Sequence, residues 1–163
     1  MTAQKLSIVE YADAHATAFY DINAQWIESM FVLEDHDRHV LTHPREVILD
    51  PGGVILMVSS PAHGIVGACA LMKTSEGVFE LTKMGVLEDV RGLKAGEFLL
   101  RALLARAATM RMKSLYLLTS SKCEAAIHLY EKVGFRHDAA IMKAHGATYA
   151  RCDVAMSYPI ADR

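Results

Sequence analysis

Between residues 12 and 31 the apolar positions Ala18, Phe19, Ile22, Trp26, Ile27 and Met30 recur at helical spacing, which predicts an amphipathic helix. Before it, residues 5–10 alternate apolar and polar side chains and predict a first strand. After it, residues 32–41 are charged and predict a short helix, followed by a loop punctuated by Pro44 and by Asp50-Pro51-Gly52-Gly53. Three apolar runs come next, at residues 54–59, 65–73 and 78–86. Ser60-Pro61-Ala62-His63-Gly64 and Thr74-Ser75-Glu76-Gly77 separate them, so they predict an antiparallel meander with short turns.

The period changes again beyond Val86. A turn over residues 91–96 leads into a long amphipathic helix, residues 114–119 predict a strand, and a second helix ends Leu129-Tyr130-Glu131-Lys132-Val133-Gly134-Phe135. Gly134 suits the residue just past a helix end, where a positive φ is wanted, and Phe135 would start the next strand. Residues 139–146 predict a loop or short helix, and residues 147–159 a last strand. The sum is an α+β fold in one domain, residues 1–163: a mixed, mostly antiparallel central sheet of about six to seven strands with helices on both faces.

At 163 residues the chain is long enough for one substantial core. A formal net charge of -2 leaves no strong electrostatic footprint for nucleic acid or an anionic membrane. No apolar run approaches the roughly 20 residues that span a bilayer, and MTAQKLSIVEY lacks a basic region followed by an apolar one, so the expectation is a cytoplasmic protein. Cys69, Cys123 and Cys152 are scattered and form neither a disulfide framework nor a metal pattern. His36, His39 and His43 lie at helix-like spacing beside Asp35 and Asp37, but no cysteine accompanies them and no second cluster matches, so no metal is expected.

The chemistry concentrates after residue 79. The turn Arg91-Gly92-Leu93-Lys94-Ala95-Gly96 runs from a strand into a helix, and backbone N–H groups at such a helix start suit a pyrophosphate. An ordinary tight turn is the plain alternative. There is no Gly-x-x-x-x-Gly-Lys-Ser/Thr loop and no Gly-x-Gly-x-x-Gly, which argues against nucleotide hydrolysis and dinucleotide binding.

Strand, turn, helix, strand and a helix ending Leu-Tyr-x-x-x-Gly-Phe together resemble the acyl-CoA-binding core of the GNAT superfamily of N-acetyltransferases. Arg91, Ala95 and Gly96 suit that family's Gln/Arg-x-x-Gly-x-Gly/Ala pattern, while Lys94 stands where its first Gly usually is. Ala126-Ile127 and Leu129-Tyr130 before Gly134-Phe135 resemble its second signature.

The resemblance implies acetyl-CoA as cosubstrate, with the pantetheine arm on the backbone of Met84, Gly85 and Val86 and the pyrophosphate on residues 91–96, including Gly92 and Leu93. An N–H near Met84 would be the oxyanion donor. Many relatives place an Asn near the start of the second helix, where this chain offers Ser120, Ser121 and Lys122, then Cys123. Tyr130 would be the general acid, against a plain core tyrosine. Glu80 would be the base, against a solvated strand residue or a member of an ion pair in the Lys83 neighbourhood, and strict alternation puts Glu80, Thr82 and Met84 on one face with Phe79, Leu81 and Lys83 on the other.

By the same resemblance Trp26, Phe31, Glu34 and Arg151 would meet the acceptor. Glu34, Asp35 and Asp37 would attract a cationic amine, or form only a solvated face. The implied activity is acetyl transfer to a primary amine, small or on a peptide, by direct attack in a ternary complex. The alternative is a non-catalytic acyl-CoA-binding regulatory module, motivated by Lys94 and the missing Asn. An exposed terminal strand would make a homodimer easy.

Overall fold

The computed structural model describes residues 5–87 and 94–160. Its first half runs β1 (Ser7–Glu10), α1 (Ala16–Met30), α2 (Asp35–Thr42), β2 (Val54–Ser60), β3 (Gly64–Ser75) and β4 (Val78–Val86). The second half runs α3 (Ala95–Ala107), β5 (Ser114–Thr119), α4 (Glu124–Val133), β6 (Arg136–His137), α5 (Ala139–His145) and β7 (Val154–Tyr158). The strands form one sheet in the order β1-β2-β3-β4-β5-β7-β6. Every pairing is antiparallel except β4 with β5. The mixed α+β sheet expected from the pattern is therefore what the chain adopts.

Alternation along the strands builds two cores. Leu56 and Val58 of β2 face the layer of α3 and α4, joining Leu99, Leu100, Leu103, Leu115 and Tyr130. Ile55 and Met57 face the other way, joining Phe19 and Ile27 of α1 and Val40 and Leu41 of α2. Each fully buried aliphatic or aromatic side chain of this kind contributes roughly 1.5–3 kcal/mol relative to exposure.

Helix α1 seats on β4 at Gly85. A Cβ there would stand 2.6 Å from the indole Cδ1 of Trp26 and 3.1 Å from Ile22, so only glycine lets the helix lie this close. At the end of α4, Gly134 adopts φ 117. Its N–H reaches the Glu131 carbonyl and the Phe135 N–H reaches the Tyr130 carbonyl, a Schellman closure.

Three segments depart from the sequence expectations. The loop expected around Pro44 instead contains a wide helical turn, Arg45–Leu49, because Ile48 is drawn fully into the α1–α2 core. The strand expected over residues 147–159 begins only at Val154; the residues before it leave the sheet to place Tyr149 and Arg151 in a polar cluster described below. The third departure lies in β4. Ala68 pairs with Gly85 but Ala70 pairs with Thr82, so β4 carries one residue more than β3 across this step. Lys83 takes up the irregularity with φ 52, a left-handed conformation that costs a lysine roughly 1–2 kcal/mol.

The bulge corrects the face assignment made by strict alternation. Lys83 does not side with Phe79 and Leu81: its ammonium reaches Tyr149, where Glu80 and Thr82 also converge. Met84 does not side with Glu80: it returns to the α3–α4 core that Leu81 shares.

Candidate active site

The β4–β5 ladder runs from Val78 opposite Ser114 only as far as Leu81 opposite Leu117. Beyond that point β4 pairs with β3 alone, and Leu118 and Thr119 of β5 pair with β7 alone. The two strands part in the middle of the sheet and leave a cleft of about 540 Å³ between them. Met84, Gly85 and Val86 form one wall, and Leu118, Thr119 and Ser120 the other. Backbone groups on facing strands that no third strand pairs are a template for an extended, amide-bearing ligand.

Two helix starts open onto this cleft. Lys94 and Gly96 at the head of α3 line it, as do Cys123, Ala125 and Ala126 at the head of α4. Among the described residues neither helix has a side-chain hydrogen bond capping its N-terminus, which leaves first-turn N–H donors suited to an anion. Lys94 holds φ 59, the conformation glycine would favour at that position. Ala95 is fully buried in the core behind the helix start and does not line the cleft. A Cβ on Gly96 would meet Leu129, Met84 and Val86 at 3.6–3.7 Å, ordinary contact, so the protein's own packing does not demand glycine there. Arg91, Gly92 and Leu93 lie outside the described residues.

Tyr130 stands deep in the cleft on α4, and among the described residues its hydroxyl makes no hydrogen bond. Burial, with the Cys69 and Cys123 thiols nearby, pushes its ionisation well above the ordinary tyrosine range, so the hydroxyl keeps its proton. Ser120 lines the cleft and its hydroxyl accepts the Lys122 N–H at 3.2 Å. Ser121 turns away: its N–H and hydroxyl both donate to Asp153, at 2.7 and 2.8 Å.

The other end of the cleft is built on a sealed polar cluster. The Lys83 ammonium donates to Asp37 at 2.7 Å and to the Tyr149 hydroxyl at 3.2 Å. Arg151 grips both oxygens of the same Asp37 carboxylate, at 2.7 and 2.8 Å, and reaches Glu34 at 3.3 Å. Burial opposes the Asp37 charge, but the hydrogen bonds from Arg151 and the Lys83 ammonium outweigh it and hold this carboxyl well below the usual range. Burial pulls Lys83 below its ordinary value, with Asp37 opposing.

Glu80 closes the cluster from below, receiving the Tyr149 hydroxyl at 3.4 Å. Only 2% exposed, it has its pKa pushed up to about 7 by burial, against the pull of Lys83 and the hydrogen bonds from Thr82 and Tyr149. The His36 ring leans on Tyr149, 5.2 Å between centroids, with its buried Nε2 unpartnered among the described residues.

The structure thus separates the sequence candidates. Met84, Gly85, Val86, Lys94, Gly96, Ser120, Cys123 and Tyr130 share the cleft with Trp26, Phe31 and Arg151. Glu80 and Glu34 do not line it; each stands one side chain back, Glu80 behind Tyr149 and Glu34 behind Arg151. Glu34 and Asp37 are taken up by Arg151 and Lys83, and Asp35 pairs with Arg38 at the surface, outside the residues that line the cleft. Sequence reasoning set Lys83 beside Glu80 only as an ion-pair neighbour and missed its bond to Asp37, and it placed Lys122 at the helix start without a role in the cleft. Two charged residues, Glu80 and Lys83, inside an otherwise apolar strand were the available signal, since such groups are buried only when paired. Among the described residues no group of three or more His, Cys, Asp or Glu side chains is arranged to hold a metal ion, and no helix is long and apolar enough to cross a membrane.

A family model described as an acetyltransferase (GNAT) domain matches residues 51–137, more than half of the chain. The fold is similar to that of a GNAT-family acetyltransferase from Staphylococcus aureus, with a TM-score of 0.85 at 19% identity over 96% of this chain and 100% of the other. An acetyltransferase from Streptococcus agalactiae gives 0.73 at 15% identity over 98% and 100%. The spermidine N-acetyltransferase of Vibrio cholerae, solved in complex with CoA and spermine, gives 0.62 at 16% identity over 82% of each chain. At these identities the likeness is one of fold. No curated protein matches the sequence.

Proposed function

The chain belongs to the GNAT acetyltransferase family, and from that premise we propose that it transfers an acetyl group from acetyl-CoA to a primary amine by direct attack within a ternary complex. The observation that carries this reading is the parting of β4 and β5 after Leu81 and Leu117, with two helix starts on the same cleft that no described side chain caps. An unpaired strand edge suits the amides of a pantetheine arm, and the head of α3 suits a pyrophosphate. Met84, Gly85 and Val86 supply the edge, while Lys94 and Gly96 stand at the helix start, with Ser120 and Cys123 on the far wall. Acetyl-CoA supplies the activated acetyl group as a thioester.

The chain's own residues then have three tasks. Holding the amine against the thioester accounts for much of the rate, because a bimolecular step becomes effectively unimolecular. A backbone N–H near Met84, on the unpaired edge, is positioned for the negative charge that develops on the carbonyl oxygen. The third task is proton transfer. An alkylammonium has no lone pair, so a base must take its proton. Glu80 is poised near neutrality, with a pKa of about 7, but lies behind Tyr149. Tyr149 lines the cleft and its hydroxyl already donates to Glu80, so in this reading it passes its proton to Glu80 as it takes one from the amine. Lys83, donating to the same hydroxyl, favours the transient negative charge on Tyr149. On the leaving side the protonated Tyr130 hydroxyl donates to the departing sulfur.

The test is release of free CoA thiol from acetyl-CoA by purified protein across a broad amine panel. Thiol release that depends on both acetyl-CoA and an amine supports the reading. CoA binding by calorimetry with no turnover for any amine overturns it in favour of a non-catalytic acyl-CoA-binding module.

A further inference from the structure

The acceptor end of the cleft is cationic and apolar where a polyamine pocket would be acidic. Trp26, Met30 and Phe31 supply its apolar surface. The charged side chains lining the cleft beside them are Lys83, Lys122 and Arg151. Lys122 and Arg151 both stand over the Phe31 ring, their charged ends 5.7 and 5.8 Å from its centroid. The carboxylates that line the cleft, Glu97 and Glu124, belong to the first turns of α3 and α4. Glu97 is already paired with Arg101 and Lys132.

The acids behind the cationic wall are spoken for. Asp37 takes a bidentate grip from Arg151 and an ion pair from Lys83, and Glu34 is held by Arg151 and by the Ala150 N–H. Asp153, which precedes the last strand, accepts the Ser121 N–H and hydroxyl and interacts with Lys122 through charge alone. Lys122 itself has no ion-pair partner among the described residues, and Arg151 keeps its Nε–H and one further N–H free of the Asp37 and Glu34 contacts. Lys83 and Arg151 are met by Asp37 and Glu34, while Lys122 stands at the exposed rim, where it interacts with the Asp153 charge.

We propose that the acceptor is an amine that also bears a carboxylate and a large apolar group, an apolar α-amino acid, with its carboxylate drawn to Lys122 and Arg151 and its side chain against Trp26, Met30 and Phe31. This rests on the acetyl-transfer reading and adds the acceptor class to it. Arg151 and Lys122 offer the donors that a carboxylate accepts, and both stand over the Phe31 ring that would meet the apolar side chain. A second ammonium in the same place, as in a polyamine, would meet like charge instead.

The experiment compares L-methionine, L-leucine and L-phenylalanine with their carboxamides, with the matching amines lacking the carboxyl group, and with spermidine, in one CoA-thiol release assay. The expected result is a kcat/KM for the amino acids about tenfold or more above that for the uncharged analogues, the scale of a lost charge-assisted hydrogen bond. Lys122→Glu, at an exposed position, is expected to lower the ratio of amino-acid to decarboxylated-amine turnover by about tenfold. Faster turnover of spermidine or of the decarboxylated amines, or an unchanged ratio in Lys122→Glu, overturns the acceptor class and leaves acetyl transfer standing. No thiol release with any amine, CoA binding being retained, overturns both.

Discussion

The Lys83 ammonium lies 2.7 Å from the Asp37 carboxylate, and the two side chains are only 2% and 0% exposed. This pair joins a bulged strand to a two-turn helix from 46 residues away and fixes the floor on which Tyr149 and Arg151 rest. A buried pair of this kind contributes little beyond an apolar substitute, yet breaking it leaves a charge stranded in low dielectric. Asp37→Asn strands two cations, Lys83 and Arg151. The expected loss is about 3–5 kcal/mol in urea unfolding at neutral pH. A loss under about 1 kcal/mol would mean that the cluster is wetter than its geometry implies.

Glu80 gives the molecule a pH dependence opposite to that of a salt-bridged carboxylate. Its pKa rises from 4.5 to about 7 on folding. Between those values the folded state binds the extra proton, so stability falls as pH rises through the window and the full cost is present above pH 7. Integrated over the shift this is about 3 kcal/mol. Glu80→Gln removes the titration. Measured against wild type, the variant should gain about 3 kcal/mol of relative stability between pH 4.5 and pH 8. If Glu80 is also the base, wild-type kcat/KM rises with pH to a plateau above about 7 and the variant loses that limb. A variant whose stability difference stays flat with pH would place the Glu80 carboxyl in water.

Gly96 separates what packing requires from what the cleft requires. An added methyl meets Leu129, Met84 and Val86 only at ordinary contact distance. Alanine in a helix is favoured over glycine by about 0.5–1 kcal/mol. Gly96→Ala is therefore expected to leave thermal stability equal or higher. Alanine also satisfies the family pattern at this position, so CoA affinity should hold; Gly96→Asp, whose carboxylate suits a helix start but repels a pyrophosphate, should lower CoA affinity in calorimetry about tenfold or more. Loss of stability together with affinity would show that Gly96 serves the fold alone.

Much of this arrangement was legible because it follows from local chemistry. The meander, with its turns at Ser60–Gly64 and Thr74–Gly77, is written in alternating apolar runs and turn residues, and Val78–Val86 and Ser114–Thr119 begin and end as strands where the pattern does. Gly134 announced its own positive φ. Lys94 shows how far a motif can bend: the glycine is gone, but the backbone keeps φ 59. What stayed hidden depends on partners distant in sequence. One extra residue in β4 moved Lys83 to the face of Glu80, and no spacing rule shows a bulge in advance. Tyr149 and Arg151 read as strand residues because nothing local says that Asp37, more than a hundred positions away, will pull them out of the sheet. Glu34 and Asp37 read as an acidic lure for the same reason.

Tyr130 isolates the leaving-group step. Its hydroxyl makes no hydrogen bond among the described residues while the ring packs edge-on against Phe135 at 5.9 Å. Tyr130→Phe keeps that ring and deletes one oxygen that no described residue hydrogen-bonds. Stability should stay within about 0.5 kcal/mol of wild type, the range of substitutions that break no internal contact. CoA affinity should change little for the same reason. Turnover should fall about 10²-fold or more, the usual contribution of a positioned proton donor, in kcat rather than in KM for the amine. The loss should shrink for an acetyl thioester whose thiol leaves more readily, because a better leaving group needs less help from a donor. Unchanged kcat with acetyl-CoA removes Tyr130 from the chemistry and returns it to the role of a core tyrosine.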